Sequence, residues 1–143
     1  MTRLEEFAQI LAGMDRMERL ETLISLADRF RPVDPSISAR PHDERHRVPG
    51  CESEAFVFAQ PRDDGSLDFA FDVLNPQGIS AMAMAVLLQE NLSGVPSNAI
   101  LTLNEELVFD LFGRELSMGK SMGLMGMLRT VKALAAGAIR IGP

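Results

Sequence analysis

Glu54-Ala55-Phe56-Val57-Phe58-Ala59-Gln60, followed beyond Asp63-Asp64-Gly65 by Ser66-Leu67-Asp68-Phe69-Ala70-Phe71-Asp72-Val73, is the stretch on which the fold turns. The first run is apolar on both faces and rich in Phe and Val, as suits a buried strand. Asp-Asp-Gly is a turn signal. The second run alternates, with Leu67, Phe69, Phe71 and Val73 on one face and Ser66, Asp68, Ala70 and Asp72 on the other. That is a half-buried strand, and the pair reads as a hairpin. A third strand is expected around Arg45 to Val48, which would make a small three-stranded antiparallel sheet.

Helices are expected on both sides of this sheet. Arg3 to Leu11 places Leu4, Phe7, Ala8 and Leu11 on one helical face, with Thr2 as cap and Gly13 as stop. Asp15 opens a second helix, with Glu18 three residues on. Its apolar stripe is Leu20, Leu23, Ile24 and Ala27, and Pro32 and Pro35 end it. Residues 31–50 are a proline- and arginine-rich connection, and a loop of that length in a small domain is more often functional or mobile than incidental. Downstream, Asn75-Pro76-Gln77-Gly78 breaks the sheet. Ile79 to Leu92 is a near-continuously apolar helix and so buried on most sides, closed by Ser93-Gly94. Ser97 is expected to cap a short helix, Glu105 to Phe112 to form another, and Ser117 to cap a last helix running to about Ala136. Helices, a small meander, then helices is an α+β order, not the alternation of a parallel sheet. The whole of 1–143 reads as one domain.

Composition narrows the function. The net charge is −6 over 143 residues, so bulk attraction to nucleic acid or an anionic membrane is not expected. No uninterrupted apolar run approaches the roughly 18 residues of a membrane span. Acids stand where a signal peptide would carry its apolar core. There is one cysteine, Cys51, which with the lack of a targeting segment points to a reducing, cytoplasmic setting. One thiol makes no internal disulfide, and it supplies too few ligands for a structural zinc or an iron–sulfur cluster.

Cys51 lies in His46-Arg47-Val48-Pro49-Gly50-Cys51-Glu52-Ser53-Glu54, where the long connection meets the first strand of the hairpin. Gly50 permits a turn that presents the thiol. Arg45, His46 and Arg47 would favour a thiolate, whereas Glu52 and Glu54 would disfavour it. On the residues alone, a reactive Cys51 competes evenly with a packed, idle one. His42-Asp43-Glu44-Arg45-His46 holds both histidines, but Pro41 and Pro49 bracket it. The helix that would align two metal-binding histidines is therefore not expected, and solvated loop charge is the simpler reading. Gly119, Gly123 and Gly126 recur at helical spacing, the mark of a groove against which another helix packs. Met118, Met122, Met125 and Met127 read as core. The acids through 104–115 read as a solvated face, and no phosphate-binding glycine pattern occurs.

Pro49-Gly50-Cys51-Glu52-Ser53 resembles the cysteine loop of the SufE family of sulfur-acceptor proteins. Asn75-Pro76-Gln77-Gly78-Ile79-Ser80-Ala81 with Leu92-Ser93-Gly94 resembles the family's central helix. Leu116-Ser117, Lys120 and Gly123-Leu124 resemble its C-terminal Leu-Ser/Thr-Pro-x-Arg-x-x-Gly-Leu motif. The resemblance spans about residues 15–136. It implies a fold shared with cluster scaffolds of the NifU N-terminal type. It also implies a sulfur carrier that takes persulfide sulfur from a SufS-like, pyridoxal-phosphate-dependent cysteine desulfurase, stimulates it, and relays the sulfur to a SufB-like Fe–S scaffold. Cys51 would be the persulfide acceptor and Gly50 the hinge on which the loop swings out. Arg45, His46, Arg47 and Glu52 would position the loop or tune the thiol, and Lys120 would help dock the partner. The carrier itself needs no cofactor, since pyridoxal phosphate belongs to the desulfurase; it is a covalent transfer partner more than a free-standing enzyme.

The sequence departs from the family pattern at several positions. Glu52 and Glu54 stand where Gln is frequent, Phe56 where Trp is frequent, Lys120 for Arg and Met118 for Pro. Lys does not reproduce the planar bidentate contact of Arg. Two other readings share the fold: a non-catalytic binding module with Cys51 idle or redox-sensing, and a sulfur relay to tRNA thiolation.

Overall fold

The structure, a computed structural model, describes residues 1–141. Thr2 caps α1 (Arg3–Ala12) through a reciprocal capping box with Glu5, and Asp15 caps α2 (Arg16–Asp28) by accepting from the Glu18 amide. Two strands follow, β1 (Ala55–Pro61) and β2 (Leu67–Val73), then α3 (Ile79–Leu92), α4 (Ser97–Leu101), α5 (Leu107–Phe112) and α6 (Met118–Ile141). The hairpin pairs antiparallel with Ala55 opposite Val73 and Pro61 opposite Leu67. The expected α+β architecture holds, with helices packed against a sheet.

The expected third strand does not form. Glu44–His46 instead make a single 3-10 turn, which Asp43 caps by accepting from the Arg45 amide. Pro49 has no N–H to extend a ladder, and Gly50 turns the chain at φ 71°. What remains beside β1 is an isolated bridge between Arg47 and Phe56, and a Val48 N–H donated to the Ala55 carbonyl at 2.9 Å. The open edge of β2 is covered in the same piecemeal way. Val33 donates to the Phe71 carbonyl, Gly94 donates to the Leu67 carbonyl, and the Phe69 amide donates to Ser93 Oγ. Each edge is thus partly covered without a third strand.

One face of the hairpin, carrying Val57, Phe69 and Phe71, joins α3 and α6 in the main core. The α3 helix is buried on nearly all sides, as its apolarity predicts. The other face is not left to solvent. Val33, Phe56 and Phe58 form a second small cluster there. Asp72, expected on a wet face, is only 1% exposed. The connection over residues 33–47 lies across it and supplies partners. Arg40 binds both carboxylate oxygens of Asp72 at 2.7 Å, and His42 Nε2 lies 2.7 Å from Asp72 Oδ2. Burial raises the Asp72 carboxyl, but the hydrogen bonds from Arg40 and His42 outweigh it and hold the group below the ordinary aspartate value.

Several helical details differ from expectation. On α2 the buried residues are Leu23, Leu26 and Ala27, while Leu20 and Ile24 are 51% and 44% exposed. The helix meets α3 along a narrower stripe than the pattern implied. Ser97 begins α4 instead of capping it, and its hydroxyl makes no cap bond. α5 starts at Leu107, because Asn104 Oδ1 accepts the Glu106 amide and holds the preceding residues in a turn. α6 runs beyond Ala136, and its Met118–Ile139 stretch is long and apolar enough to cross a membrane. Lys120, Arg129 and Lys132 interrupt the run. Packing accounts for one face of that apolar helix, where Leu124, Met127, Leu128, Val131 and Ala135 are buried in the core.

Candidate functional site

Cys51 sits between two turns, one at Pro49-Gly50 and one at Glu52-Ser53. The positive φ of Gly50 closes the first. The Glu54 amide donates to the Cys51 carbonyl at 3.1 Å and closes the second. Glu54 leaves that turn at φ 55°, a left-handed conformation uncommon for a residue with a side chain. The loop therefore enters β1 at an abrupt angle, and Cys51 is left at its crest, half-buried.

Two helices hold the crest. On one side, the start of α3 presses against Ser53: a Cβ at Gly78 would meet Ser53 Cβ and Oγ at 2.9 Å. On the other lies α6. Its glycine stripe was expected to receive a helix, but it receives the cysteine loop. A Cβ at Gly119 would meet Glu52 Oε1 at 3.3 Å, one at Gly123 would meet Cys51 Sγ at 3.5 Å, and one at Gly126 would meet the Pro49 carbonyl oxygen at 3.1 Å. Three glycines at successive turns thus form a trough fitted to Val48–Glu52. Against α6 the loop is seated by contact, while its second turn is tied to the segment after β2, where the Asn75 amide donates to the Ser53 carbonyl at 3.2 Å and the Leu74 amide to the Glu54 carbonyl at 3.1 Å. Among the described residues no hydrogen bond joins residues 49–52 to α6.

Beside the thiol, between the first turns of α3 and α6, is a cleft of about 360 Å³ whose wall includes Cys51, Glu52, Asn75, Gln77, Ser80 and Lys120. Lys120 thus shares the cleft with the sulfur. The Glu52 carboxylate lies over the first turn of α6, which carries no acidic residue of its own. A negative charge is favourable at that end of a helix. Its position gives Glu52 a structural reason to be acidic that the sequence alone does not show.

Arg45, His46 and Arg47 are placed elsewhere. Arg45 faces Asp43 at 3.8 Å, and the His46 ring packs 4.6 Å from the Phe58 ring. Arg47 forms a bidentate pair with Glu44, approaches Glu54 at 3.7 Å and lies 4.8 Å over the Phe56 ring. None of the three lines the cleft. Arg47 instead braces the entry and exit of the cysteine loop against each other. His42 belongs to the Asp72 network. Asn75, Gln77 and Ser80 line the cleft as well; the sequence marks them only through the Asn75–Ala81 motif that contains them. Met118 and Met122, expected in the core, are 77% and 56% exposed on α6 near the loop, whereas Met127 is fully buried.

A protein-family model described as SufE, Fe-S metabolism associated domain, matches residues 4–135. Among solved structures, the fold is similar to the solution structure of a hypothetical protein from Thermus thermophilus. The TM-score is 0.73 at 22% identity, with 96% of each chain covered.

Proposed function

The chain belongs to the SufE family, associated with Fe–S metabolism, and from that premise we propose that it carries sulfur on Cys51. The donor is the cysteine persulfide of a pyridoxal-phosphate-dependent desulfurase, and the eventual acceptor is an Fe–S cluster scaffold. One observation supports this reading above the others. The chain's single thiol stands at the crest of a loop that rests on a glycine trough by contact alone, beside an open cleft. Such a loop can leave its seat without breaking a hydrogen bond to α6, and it can return.

The chemistry is thiol exchange. The Cys51 thiolate attacks the outer sulfur of the donor persulfide. A new Sγ–S bond forms, the donor's S–S bond breaks, and the donor cysteine departs as a thiolate that takes a proton from solvent. No net oxidation occurs. The product is a Cys51 persulfide, which is sensitive to oxidation wherever it meets solvent. Lys120 and the exposed Met118 and Met122 border the surface a partner meets when the loop is drawn out, and Arg45 and His46 lie on the connection that leads into that loop. Gly50 is the hinge. A reducing, cytoplasmic compartment suits a carrier whose working group is a free thiol.

Removal of product sulfur should raise desulfurase turnover. The carrier account expects wild-type protein to stimulate the desulfurase and Cys51→Ser to lose that stimulation while keeping its fold. Equal stimulation by both proteins would sink the account.

A further inference from the structure

The structure assigns to Gly123 the role of a specificity-determining residue: it leaves open the flank of Cys51 Sγ that a second sulfur occupies. This inference rests on the carrier reading and names the residue that separates a persulfide acceptor from a merely available thiol.

A Cβ at Gly123 would lie 3.5 Å from Cys51 Sγ and 3.4 Å from its Cα. Those are ordinary van der Waals separations, so the resting thiol tolerates alanine. A sulfur bonded to Sγ stands about 2.0 Å from it. On the α6 flank it would fall well inside contact distance of that Cβ. The methyl group and the second sulfur therefore compete for the same space. Gly123 and Cys51 both line the 360 Å³ cleft, so the space continues into an open volume and is not a sealed void.

The other glycines of α6 do different things. Gly126 is opposed by the Pro49 carbonyl and Val48, and Gly119 by the flexible end of Glu52. Of the α6 glycines, Gly123 is the one that faces the sulfur. Gly137, farther along the same helix, has nothing within 4 Å of its Cβ position and so reports the effect of a Gly→Ala change on the helix alone.

The test compares wild type, Gly123→Ala and Gly137→Ala. Each is given sulfur in two ways, by a cysteine desulfurase with cysteine and by inorganic polysulfide, whose sulfane sulfur the thiolate attacks with release of a polysulfide one sulfur shorter. Two rates are read: alkylation of the resting thiol by iodoacetamide, and loss of the added sulfur to a small-molecule thiol. The assignment expects alkylation of Gly123→Ala within about twofold of wild type, with its persulfide lost at least about fivefold faster because the second sulfur is displaced toward solvent. Gly137→Ala should match wild type in both. A Gly123→Ala persulfide as long-lived as that of wild type overturns the assignment. So does faster loss accompanied by an equal rise in alkylation, since that would mean an opened loop. If wild type takes sulfur from polysulfide but not from the desulfurase, the partner reading fails while the Gly123 comparison can still be made. If it takes sulfur from neither, both fall.

Discussion

His42 and Asp72 are joined across the hairpin's second face by a 2.7 Å hydrogen bond between two buried side chains. A carboxylate only accepts, so the proton in that bond belongs to His42 Nε2. His42 Nδ1 then faces Ser38 Oγ at 2.7 Å, and Arg40 completes the cage around Asp72. The network fastens the long connection to the sheet and so fixes the entry of the cysteine loop.

Asp72→Ala should therefore destabilise the protein by about 2–3 kcal/mol, since it leaves the buried His42 without its acceptor and the half-exposed Arg40 without its pair. Urea denaturation followed by circular dichroism checks this. A loss under about 1 kcal/mol would show that the network contributes little.

Acid should act on the same bond. The Asp72 carboxyl titrates below its ordinary value in the folded protein. Its stabilising contribution is fully present above the unfolded carboxyl value of about 4 and is lost as pH falls through the lower folded value. Melting temperature should fall steeply below about pH 4 in wild type, and less steeply in Asp72→Asn. Parallel acid limbs in the two proteins would contradict the assignment.

Glu54 tests the strain at the loop exit. Its φ of 55° suits glycine or asparagine and opposes β-branched residues. Glu54→Val should cost about 1–3 kcal/mol. Glu54→Gly should be near neutral, because the partly exposed Arg47 pair it removes is worth under about 1 kcal/mol. Equal stability of the Val and Gly variants, measured by thermal melting, would show that the backbone there is unstrained.

The trough can be narrowed from below. Gly126→Ala would push a Cβ to 3.1 Å from the Pro49 carbonyl oxygen and from Val48 Cγ1, and a backbone carbonyl yields less easily than a side-chain tip. We expect a loss of about 1–3 kcal/mol and faster alkylation of Cys51 as the loop lifts. Gly119→Ala meets only the movable Glu52 carboxylate and should change alkylation much less. The reverse order of the two variants would disprove the seating described above.

Much of this was legible in the chain because it is local. The caps at Thr2 and Asp15, the Asp63-Asp64-Gly65 turn, the hairpin and the buried α3 all follow from residues close in sequence. The burial of Asp72 is not legible, because strict alternation in β2 says nothing about what a distant segment lays over the polar face. The absence of a third strand is not legible either, because a short polar run before Pro49 satisfies a strand pattern and a 3-10 turn equally well. The glycine trough announced a close approach but not its occupant. Only the fold shows that residues 48–52 lie against Gly119, Gly123 and Gly126, and that Glu52, puzzling beside a thiol, rests on the first turn of α6.

The most direct test of the sulfur-carrier account is intact-mass measurement after incubation with a cysteine desulfurase and cysteine, without reducing agent. The account predicts that wild type gains the mass of one sulfur atom, removable by a thiol reductant, and that Cys51→Ser gains none. An unchanged wild-type mass, or the same gain in Cys51→Ser, would contradict it.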